Sequence, residues 1–229
     1  MGRTYFVSGI DTGVGKTIAT GMMARSLMAH GVKVTTVKLV QTGCHGFSED
    51  LEMHRKLMGI PATSEDLQGL TFPQTFDFPA SPHFAAEREG RAVDVERISD
   101  CVKKVSAGYD VTLVEGAGGL AVPLTHDLLT IDYARSQGWP AILVCSGKLG
   151  SLNHAILSIE ALAARGIPLA GIVYNHCAEA DPEIDQDTPR MIREYLDKSR
   201  MDAPLIRLGF VNPDAPKSTD LPDFTPFFR

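Results

Sequence analysis

GIDTGVGKT, at residues 9–17, is the stretch of this 229-residue chain that decides the fold. An apolar stretch at 4–8 precedes it, and residues 17–30 after it carry apolar side chains at helical spacing. A strand, a glycine-rich turn and a helix opening with Gly-Lys-Thr form the arrangement that cradles phosphate with backbone N–H groups. Five residues separate Gly9 from Gly15, one more than usual, but the flanking strand and helix favour the same interpretation. We predict that this loop binds a nucleoside triphosphate.

The rest of the chain repeats the alternation of strand, turn and helix. Further strands are predicted at 33–40, 111–114, 141–145, 169–174 and 204–208, and further helices at 49–58, 82–89, 93–106, 131–137, 151–165 and 182–196. Apolar strands alternating with helices are typical of a parallel sheet covered on both faces. We expect a single α/β domain over 1–229, a doubly wound, mainly parallel sheet of the P-loop NTPase type, with an extended C-terminal tail from about 210. The irregular stretch 60–82 is expected to bury its apolar side chains, including Leu67.

Composition argues against several classes of protein. The chain carries 22 basic and 28 acidic residues, a net charge of −6, which gives no electrostatic help to nucleic-acid binding. No apolar run approaches the length that crosses a bilayer, and the N-terminus lacks the pattern of a signal peptide. The four cysteines form no CxxC pair, as is typical of a reducing compartment. We expect a cytoplasmic protein with no nucleic-acid or membrane partner.

Charged side chains follow two of the predicted strands. Lys38 ends the second strand, where ligands bind in doubly wound sheets; it either points into a nucleotide crevice or is an exposed strand-end residue. Glu115 follows the apolar strand 111–114, an arrangement that favours a metal ion beside a phosphate loop. Glycines within 116–119 allow the backbone to pass close to a ligand. Asp50, near a helix start, is by itself more typical of a cap or a first-turn carboxylate.

Three further stretches carry candidate binding groups. In the glycine loop, Lys16 is expected to neutralise the β- and γ-phosphates, and Thr17 to ligate Mg²⁺. Residues 148–154 open a helix after a strand, so the N–H groups of 150–153 are expected to be free for a substrate carboxylate, unless the helix is simply capped. Asn175, at a strand end, carries a donor and an acceptor that suit the edge of a nucleotide base or an ordinary turn.

Together these segments resemble the dethiobiotin synthetase family. The resemblance runs from Tyr5 to about Gly209 and rests on the segments 9–17, 38–43, 81–83, 115–119 and 148–154 and on Asn175. It implies an ATP- and Mg²⁺-dependent ligase of biotin biosynthesis that works as a homodimer. It implies that CO₂ adds to one amine of 7,8-diaminononanoate as a carbamate and that ATP phosphorylates this carbamate. The second amine then closes the ureido ring, which gives dethiobiotin, ADP and phosphate.

The resemblance also implies roles for individual residues. The expected catalytic residues are Lys38, which would screen the carbamate from the γ-phosphate, and Lys16, which would stabilise the γ-phosphoryl group during transfer. The expected metal-linked residues are Thr17, Asp50 and Glu115. The expected nucleotide-binding residues are Thr12, Gly13, Val14, Gly15, Lys16, Thr17, Asp50, Glu115, Gly116, Ala117, Gly118, Asn175 and His176. The expected substrate-binding residues are Thr12, Lys38, Thr42, Ser81, Gly118, Gly150, Ser151, Leu152 and Asn153, with the last four acting from across the homodimer interface.

Three positions depart from the family pattern, and other functions compete with it. Gly13 stands where some members carry Glu, and Leu39 stands where Pro is usual. Residues 209–213 read GFVNP near the expected base pocket, so the choice of nucleoside triphosphate stays open.

The main alternative function is a ParA/MinD-like ATPase switch. The loop of such a switch starts with a further lysine, where this chain has Asp11. A cobyrinate-type amidoligase would need a glutaminase domain. A non-catalytic nucleotide-binding module would have no use for a strand-end lysine and carboxylate together.

Overall fold

The computed structural model describes residues 2–178, 180–216 and 220–229. The strands are β1 (Arg3–Gly9), β2 (Val34–Lys38), β3 (Gln41–Thr42), β4 (Thr75–Phe76), β5 (Val111–Gly119), β6 (Ala141–Ser146), β7 (Leu169–Asn175) and β8 (Leu205–Leu208). The helices are α1 (Lys16–Ala29), α2 (Glu49–Met58), α3 (Ser64–Leu67), α4 (Pro82–Arg88), α5 (Val95–Ser106), α6 (Thr130–Ser136), α7 (Ser151–Ala164) and α8 (Pro182–Lys198), with a 3₁₀ turn at Thr225–Phe228.

Six strands form one parallel sheet in the order β2-β5-β1-β6-β7-β8. The chain places β2 and β5 on one side of β1 and β6, β7 and β8 on the other. The direction of winding therefore reverses at β1, and in such sheets ligands bind at the carboxyl ends of the strands beside this switch point. Phe6 and Val7 of β1 are fully buried, as expected for a strand covered on both faces. The predicted doubly wound, mainly parallel sheet is confirmed.

The stretch between α2 and α4 is more ordered than the sequence predicted. Thr63 and Asp66 form a reciprocal capping box at the start of α3, with Thr63 N–H donating to Asp66 Oδ2 at 2.7 Å. β4 pairs in parallel with β3 as a separate two-stranded sheet. Leu67 is 79% exposed, so its predicted burial is wrong. The reason is that α3 is a single turn whose buried position is taken by Asp66, not by Leu67.

β5 continues beyond its apolar residues. Val7 and Gly9 of β1 are two residues apart, but their partners in β5, Glu115 and Gly119, are four residues apart. The excess forms an arch beside the glycine loop, and Gly118 in this arch has a φ of 68° that favours glycine. The hydrophobic pattern predicted only 111–114, because backbone pairing continues after the apolar side chains end.

The C-terminal residues return to α1 and β7. Phe224 N–H donates to Ser26 Oγ of α1 at 3.2 Å, and Phe224 is fully buried. Phe227 packs against Gly171 of β7, where a Cβ would lie 2.3 Å from its ring. The described end of the tail is therefore packed onto the sheet and α1. Residues 217–219 of the expected tail lie outside the described residues.

The cysteines and the helix lengths of the described residues can be compared with the expectations from composition. The four cysteines are free thiols. Within residues 2–178, 180–216 and 220–229, no helix is both long and apolar enough to span a membrane.

Candidate functional site

The glycine loop joins β1 to α1 at the switch point of the sheet. Gly15 caps the amino end of α1 with a φ of 86°, and a Cβ there would lie 1.8 Å from Asn175 Nδ2, so only glycine fits. The first hydrogen bond of α1 runs from Ala19 N–H to Gly15 C=O at 2.9 Å. The N–H groups of the residues before Ala19 therefore point out of the helix end, which is the form that binds anions.

Lys16 arches back over this loop. Its Nζ donates to Asp11 C=O at 3.1 Å, and the residue is only 7% exposed. Burial lowers the pKa of Lys16 and outweighs the carboxylates of Glu115 and Asp50, which act to raise it. A positive charge destabilised by burial gains from a phosphate anion beside it, so the position of Lys16 suits a contact with bound phosphate.

Thr17, Lys38, Asp50 and Glu115 meet beside the start of α1, and we call these four residues the Lys38 cluster. Lys38 Nζ lies 2.5 Å from Asp50 Oδ2 and 2.8 Å from Glu115 Oε1. It also donates to Gly116 C=O at 3.1 Å. Thr17 Oγ1 lies 2.9 Å from Asp50 Oδ1 and 3.2 Å from Glu115 Oε1. The structure thus brings together a lysine and two carboxylates that are far apart in sequence.

The centre of the Lys38 cluster is buried and ionised. Glu115 is 0% exposed and Lys38 is 4% exposed. Burial raises the pKa of Glu115, but Lys38 and His54 outweigh it and hold this pKa well below its ordinary value. Burial also lowers the pKa of Lys38, while Glu115 and Asp50 raise it more, with a net rise. Both side chains therefore carry their charges at neutral pH.

The Lys38 cluster offers the kind of oxygen atoms that Mg²⁺ prefers. In the described part of the chain, no group of three or more His, Cys, Asp or Glu side chains is placed to hold a metal. The Lys38 cluster instead combines two carboxylates with the hydroxyl of Thr17. That hydroxyl has one proton but lies within hydrogen-bonding distance of both Asp50 and Glu115, so it can donate to only one of them. A hydroxyl between two carboxylates fits Mg²⁺, an ion that takes few protein ligands and keeps several waters. The metal-binding roles of these residues stay a prediction.

Two clefts that share residues of the glycine loop contain most of the predicted site residues. The cleft at the Lys38 cluster is lined by Thr12, Gly13, Gly15, Lys16, Ile18, Val40, Gln41, Thr42, Ala117 and Gly118 in addition to the cluster itself. The cleft on the other side is lined by Asp11, Thr12, Gly13, Val14, Gly15, Ser146, Lys148, Leu149, Gly150, Ser151, His154, Asn175, His176, Cys177 and Ala178. The loop residues shared by both clefts would let one ligand extend along the loop from one cleft to the other.

Asn175 and His176 lie at the end of β7 in the second cleft. Asn175 Nδ2 donates to Val14 C=O at 3.1 Å, so this amide group supports the glycine loop. The ring of His176 meets the ring of Phe210 edge to face at 6.1 Å. Both residues line the same cleft as the glycine loop, and their contact with a nucleotide base stays a prediction.

The predicted substrate-binding residues fall in different places. Gly150 and Ser151 lie in the second cleft, and Leu152 follows in the first turn of α7 with Asn153. The prediction that every N–H group of 150–153 is free is wrong at Ser151, whose N–H donates to Lys148 C=O at 2.9 Å. The turn before α7 closes on itself and uses that donor.

Ser81 stands apart from both clefts. It is the N-cap residue of α4, and its Oγ lies 3.1 Å from His83 Nδ1. It lines neither of the clefts beside the glycine loop. Its predicted contact with substrate would therefore require a ligand that reaches α4.

His54 is a site residue that the sequence analysis missed. It is fully buried, and its Nε2 lies 2.8 Å from Glu115 Oε2. His54 follows Asp50 by four residues on α2, so the two side chains share one face of the helix. This spacing was the available signal, and it acquires meaning only once Asp50 is placed beside Glu115.

A parallel sheet with a glycine loop at its switch point, flanked by a lysine and two carboxylates, defines a P-loop nucleotide-binding fold. Solved structures that are similar to it include a bacterial ATPase and a chloroplast protein. A ParA family ATPase from Chlorobium tepidum TLS has a TM-score of 0.54 at 15% identity, covering 95% of this chain and 88% of that one. Chloroplast FtsY from Physcomitrella patens has a TM-score of 0.55 at 16% identity, covering 100% and 66%. At these identities the likeness shows the fold alone.

Sequence comparison identifies the particular family. The family model described as an AAA domain matches residues 3–212. ATP-dependent dethiobiotin synthetase BioD 2 of Pasteurella multocida is 46% identical over 86% of this chain and 93% of its own length. BioD of Chlorobaculum tepidum is 48% identical over 91% and 87%, and BioD 2 of Haemophilus influenzae is 50% identical over 79% and 95%. The chain belongs to the ATP-dependent dethiobiotin synthetase family, which confirms the predicted family and the predicted class of enzyme, an ATP-dependent ligase.

Proposed function

We propose that this chain closes the ureido ring of dethiobiotin from 7,8-diaminononanoate and CO₂ at the expense of ATP. The observation that carries the proposal is Lys38 Nζ, held between Asp50 and Glu115 beside the phosphate-binding loop. One amine of the substrate adds to CO₂, loses a proton and becomes a carbamate. A carbamate oxygen attacks the γ-phosphorus, and ADP leaves. The second amine attacks the carbonyl carbon and loses a proton, and phosphate leaves as the ring closes.

The side chains of the Lys38 cluster and the loop supply charge and position in this scheme. Lys38 screens the carbamate from the γ-phosphate, two anions that must approach each other, and its raised pKa keeps it cationic. Lys16 lies over the loop, where it stabilises the charge that develops as the γ-phosphoryl group is transferred. Mg²⁺, held by Thr17, Asp50 and Glu115, would neutralise phosphate charge. No covalent intermediate on the enzyme is needed.

Residues lining the Lys38 side of the loop are assigned to the reacting end of the substrate. Thr12, Thr42 and Gly118 line the same cleft as Lys38. The nucleotide would run along the loop toward Asn175 and His176 in the second cleft, which we assign to the base.

The substrate carboxylate is assigned to Gly150, Ser151, Leu152 and Asn153 of a second copy of the chain. Within one chain, Gly150 and Ser151 line the cleft opposite the Lys38 cluster. A homodimer would bring these residues to the far end of a diamine bound beside Lys38. Ser81 lines neither cleft, so it would contact only a part of the substrate that extends out of the cleft toward α4.

The test is the dependence of ADP release on each substrate. With ATP and Mg²⁺ present, we expect ADP release to require both the diamine and bicarbonate, because the carbamate is the phosphoryl acceptor. Each is omitted in turn, and ADP is measured by a coupled assay. ADP release that is equally fast without the diamine would mean that water is the acceptor, and the proposal would fail.

A further inference from the structure

His54 is a buried histidine that contacts the Lys38 cluster from behind. Its Nε2 lies 2.8 Å from Glu115 Oε2, and both side chains are fully buried. An ionised carboxylate has only acceptor atoms. The Lys38 ammonium donates to the other oxygen of Glu115 at 2.8 Å, so the carboxylate accepts on that side, and His54 Nε2–H is the donor that completes the contact with Oε2.

The other ring nitrogen of His54 is held by Thr36 of β2. Nδ1 lies 3.0 Å from Thr36 Oγ1, and the same oxygen accepts from Arg55 Nη1 at 2.8 Å. Since a guanidinium only donates, the hydroxyl proton of Thr36 is available to Nδ1. Arg55 is itself fixed by two contacts of 2.7 Å to Asp66. A ring that donates from Nε2 and accepts at Nδ1 therefore satisfies both of its buried partners, Glu115 and Thr36.

The two oxygens of Glu115 consequently have different surroundings. Oε2 accepts from His54, whereas Oε1 lies 2.8 Å from Lys38 Nζ and 3.2 Å from Thr17 Oγ1. The two oxygens turn together about the Cγ–Cδ bond, so rotation of the carboxylate would break the contact of Oε2 with His54 as well as those of Oε1. The donor on Oε2 thus opposes rotation and keeps Oε1 directed at the Lys38 cluster.

We propose that His54 is a positioning residue: its Nε2–H holds Glu115 Oε2, so that Oε1 faces Lys38 and Thr17 before any ligand binds. Thr36 fixes the ring in this tautomer. Asp50 and His54 lie one turn apart on α2, so a single helix supplies one carboxylate of the cluster and the group that orients the other. The use of this arrangement in catalysis rests on the proposed function; the arrangement itself does not.

The tautomer of the histidine in the wild-type, ligand-free protein gives the first test. Nitrogen-15 NMR of the imidazole rings, with His54 assigned by comparison with His54→Gln, distinguishes a protonated from an unprotonated ring nitrogen. We expect His54 to be protonated at Nε2 and unprotonated at Nδ1. A ring protonated only at Nδ1 would overturn the proposal, because Nε2 would then have no proton to give to Glu115.

A pair of substitutions gives the second test. His54→Gln keeps an N–H donor near the position of Nε2, whereas His54→Leu keeps bulk without a donor. Loss of a hydrogen bond that orients a metal-binding side chain typically lowers metal affinity on the order of 10- to 100-fold. Mg²⁺ is expected to strengthen ADP binding, and we expect His54→Leu to raise the Mg²⁺ concentration that gives half of this effect by about 10- to 100-fold. His54→Gln should recover most of the loss. His30→Leu replaces a half-exposed histidine at the end of α1 and is the matched control. It should leave the Mg²⁺ dependence of ADP binding unchanged.

Calorimetric titration of ADP at a series of Mg²⁺ concentrations measures this shift, and thermal unfolding monitors the fold. Equal shifts in His54→Gln and His54→Leu, or no shift in either, would overturn the proposal. If His54→Leu does not fold, Thr36→Val is used in its place and should shift the Mg²⁺ dependence in the same direction. If the wild-type protein forms no dethiobiotin, the proposed function fails, whereas the tautomer and the Mg²⁺ dependence of ADP binding still decide the role of His54.

Discussion

Lys38 Nζ lies 2.8 Å from Glu115 Oε1, because the two residues are direct partners across the parallel strands β2 and β5. The second contact of Lys38, 2.5 Å to Asp50 Oδ2, comes from α2. A sheet and a helix thus fix the ammonium group from two directions before any ligand is bound. Charges that are held in place in advance need little reorganisation during a reaction, and this is the usual source of their effect on rate.

Replacement of this lysine should separate chemistry from nucleotide binding. In Lys38→Met we expect dethiobiotin formation to fall by at least about 100-fold, since the carbamate and the γ-phosphate lose the cation between them. ADP affinity should change only a few-fold. Mass spectrometry of the product and calorimetry of ADP binding measure the two effects. Lys56→Met, an exposed lysine paired with Asp214, is the control. Equal losses of activity and affinity would mean that Lys38 is only a phosphate contact.

The same variant should also unfold more readily. Lys38→Met leaves Glu115 buried without its principal cation, and loss of one partner of a buried pair costs roughly 3–5 kcal/mol. Chemical denaturation with and without Mg²⁺ measures the cost. We expect Mg²⁺ to recover part of it, because the ion would neutralise the same carboxylates.

Two glycines with left-handed backbone angles should respond differently to a methyl group. Gly15→Ala places Cβ on Asn175 Nδ2, whereas a Cβ at Gly31, with a φ of 75°, meets nothing within 4 Å. We expect Gly15→Ala to weaken ADP binding by more than tenfold, because the loop must move away from β7. Gly31→Ala should cost about 1 kcal/mol of stability through its backbone angle and leave ADP binding unchanged. Comparable ADP affinities in the two variants would contradict the described geometry of the loop.

The buried pair of Arg55 and Asp66 should give stability an acid-sensitive component. Burial raises the pKa of Asp66, but the hydrogen bonds from Arg55 and Thr63 outweigh it, so this pKa lies below its ordinary value of 3.8. A lowered pKa stabilises the fold above the unfolded-state value, and the contribution is lost as pH falls through the folded-state value. Asp66→Asn should therefore cost about 3 kcal/mol at pH 7, a difference that shrinks below pH 3.8.

Denaturant unfolding of both proteins across this pH range measures the effect of Asp66. Glu52→Gln, a change at an exposed position of α2, is the control for removing a carboxylate. A difference between wild type and Asp66→Asn that stays constant down to the lowest pH would show that the carboxylate charge contributes nothing.

Much of the fold follows from local sequence signals, but the site depends on which strands are neighbours. The glycine loop and the apolar strands predicted a doubly wound sheet, because turn chemistry and hydrophobic periodicity act over short distances. The contact between Lys38 and Glu115 depends on strand order and register, which no local pattern encodes. The burial of Leu67 was predicted wrongly because hydrophobicity does not tell which side of a one-turn helix faces the core.

Hydrogen-bonding partners were still harder to predict. Ser151 was expected to offer a free N–H, but a turn formed by its own neighbours uses that donor. His54 became a site residue only after α2 was placed against β5, since its spacing from Asp50 alone fits many surface helices. Residues of the Lys38 cluster were found because the family resemblance supplied a reason to consider them together.

The most direct test of the account follows the carbon atom of CO₂. The protein is incubated with 7,8-diaminononanoate, ¹³C-labelled bicarbonate, ATP and Mg²⁺, and the product is analysed by mass spectrometry alongside ADP. We predict dethiobiotin with one labelled carbon in its ureido group, formed in equal amounts with ADP. ADP that accumulates without labelled dethiobiotin would contradict the account.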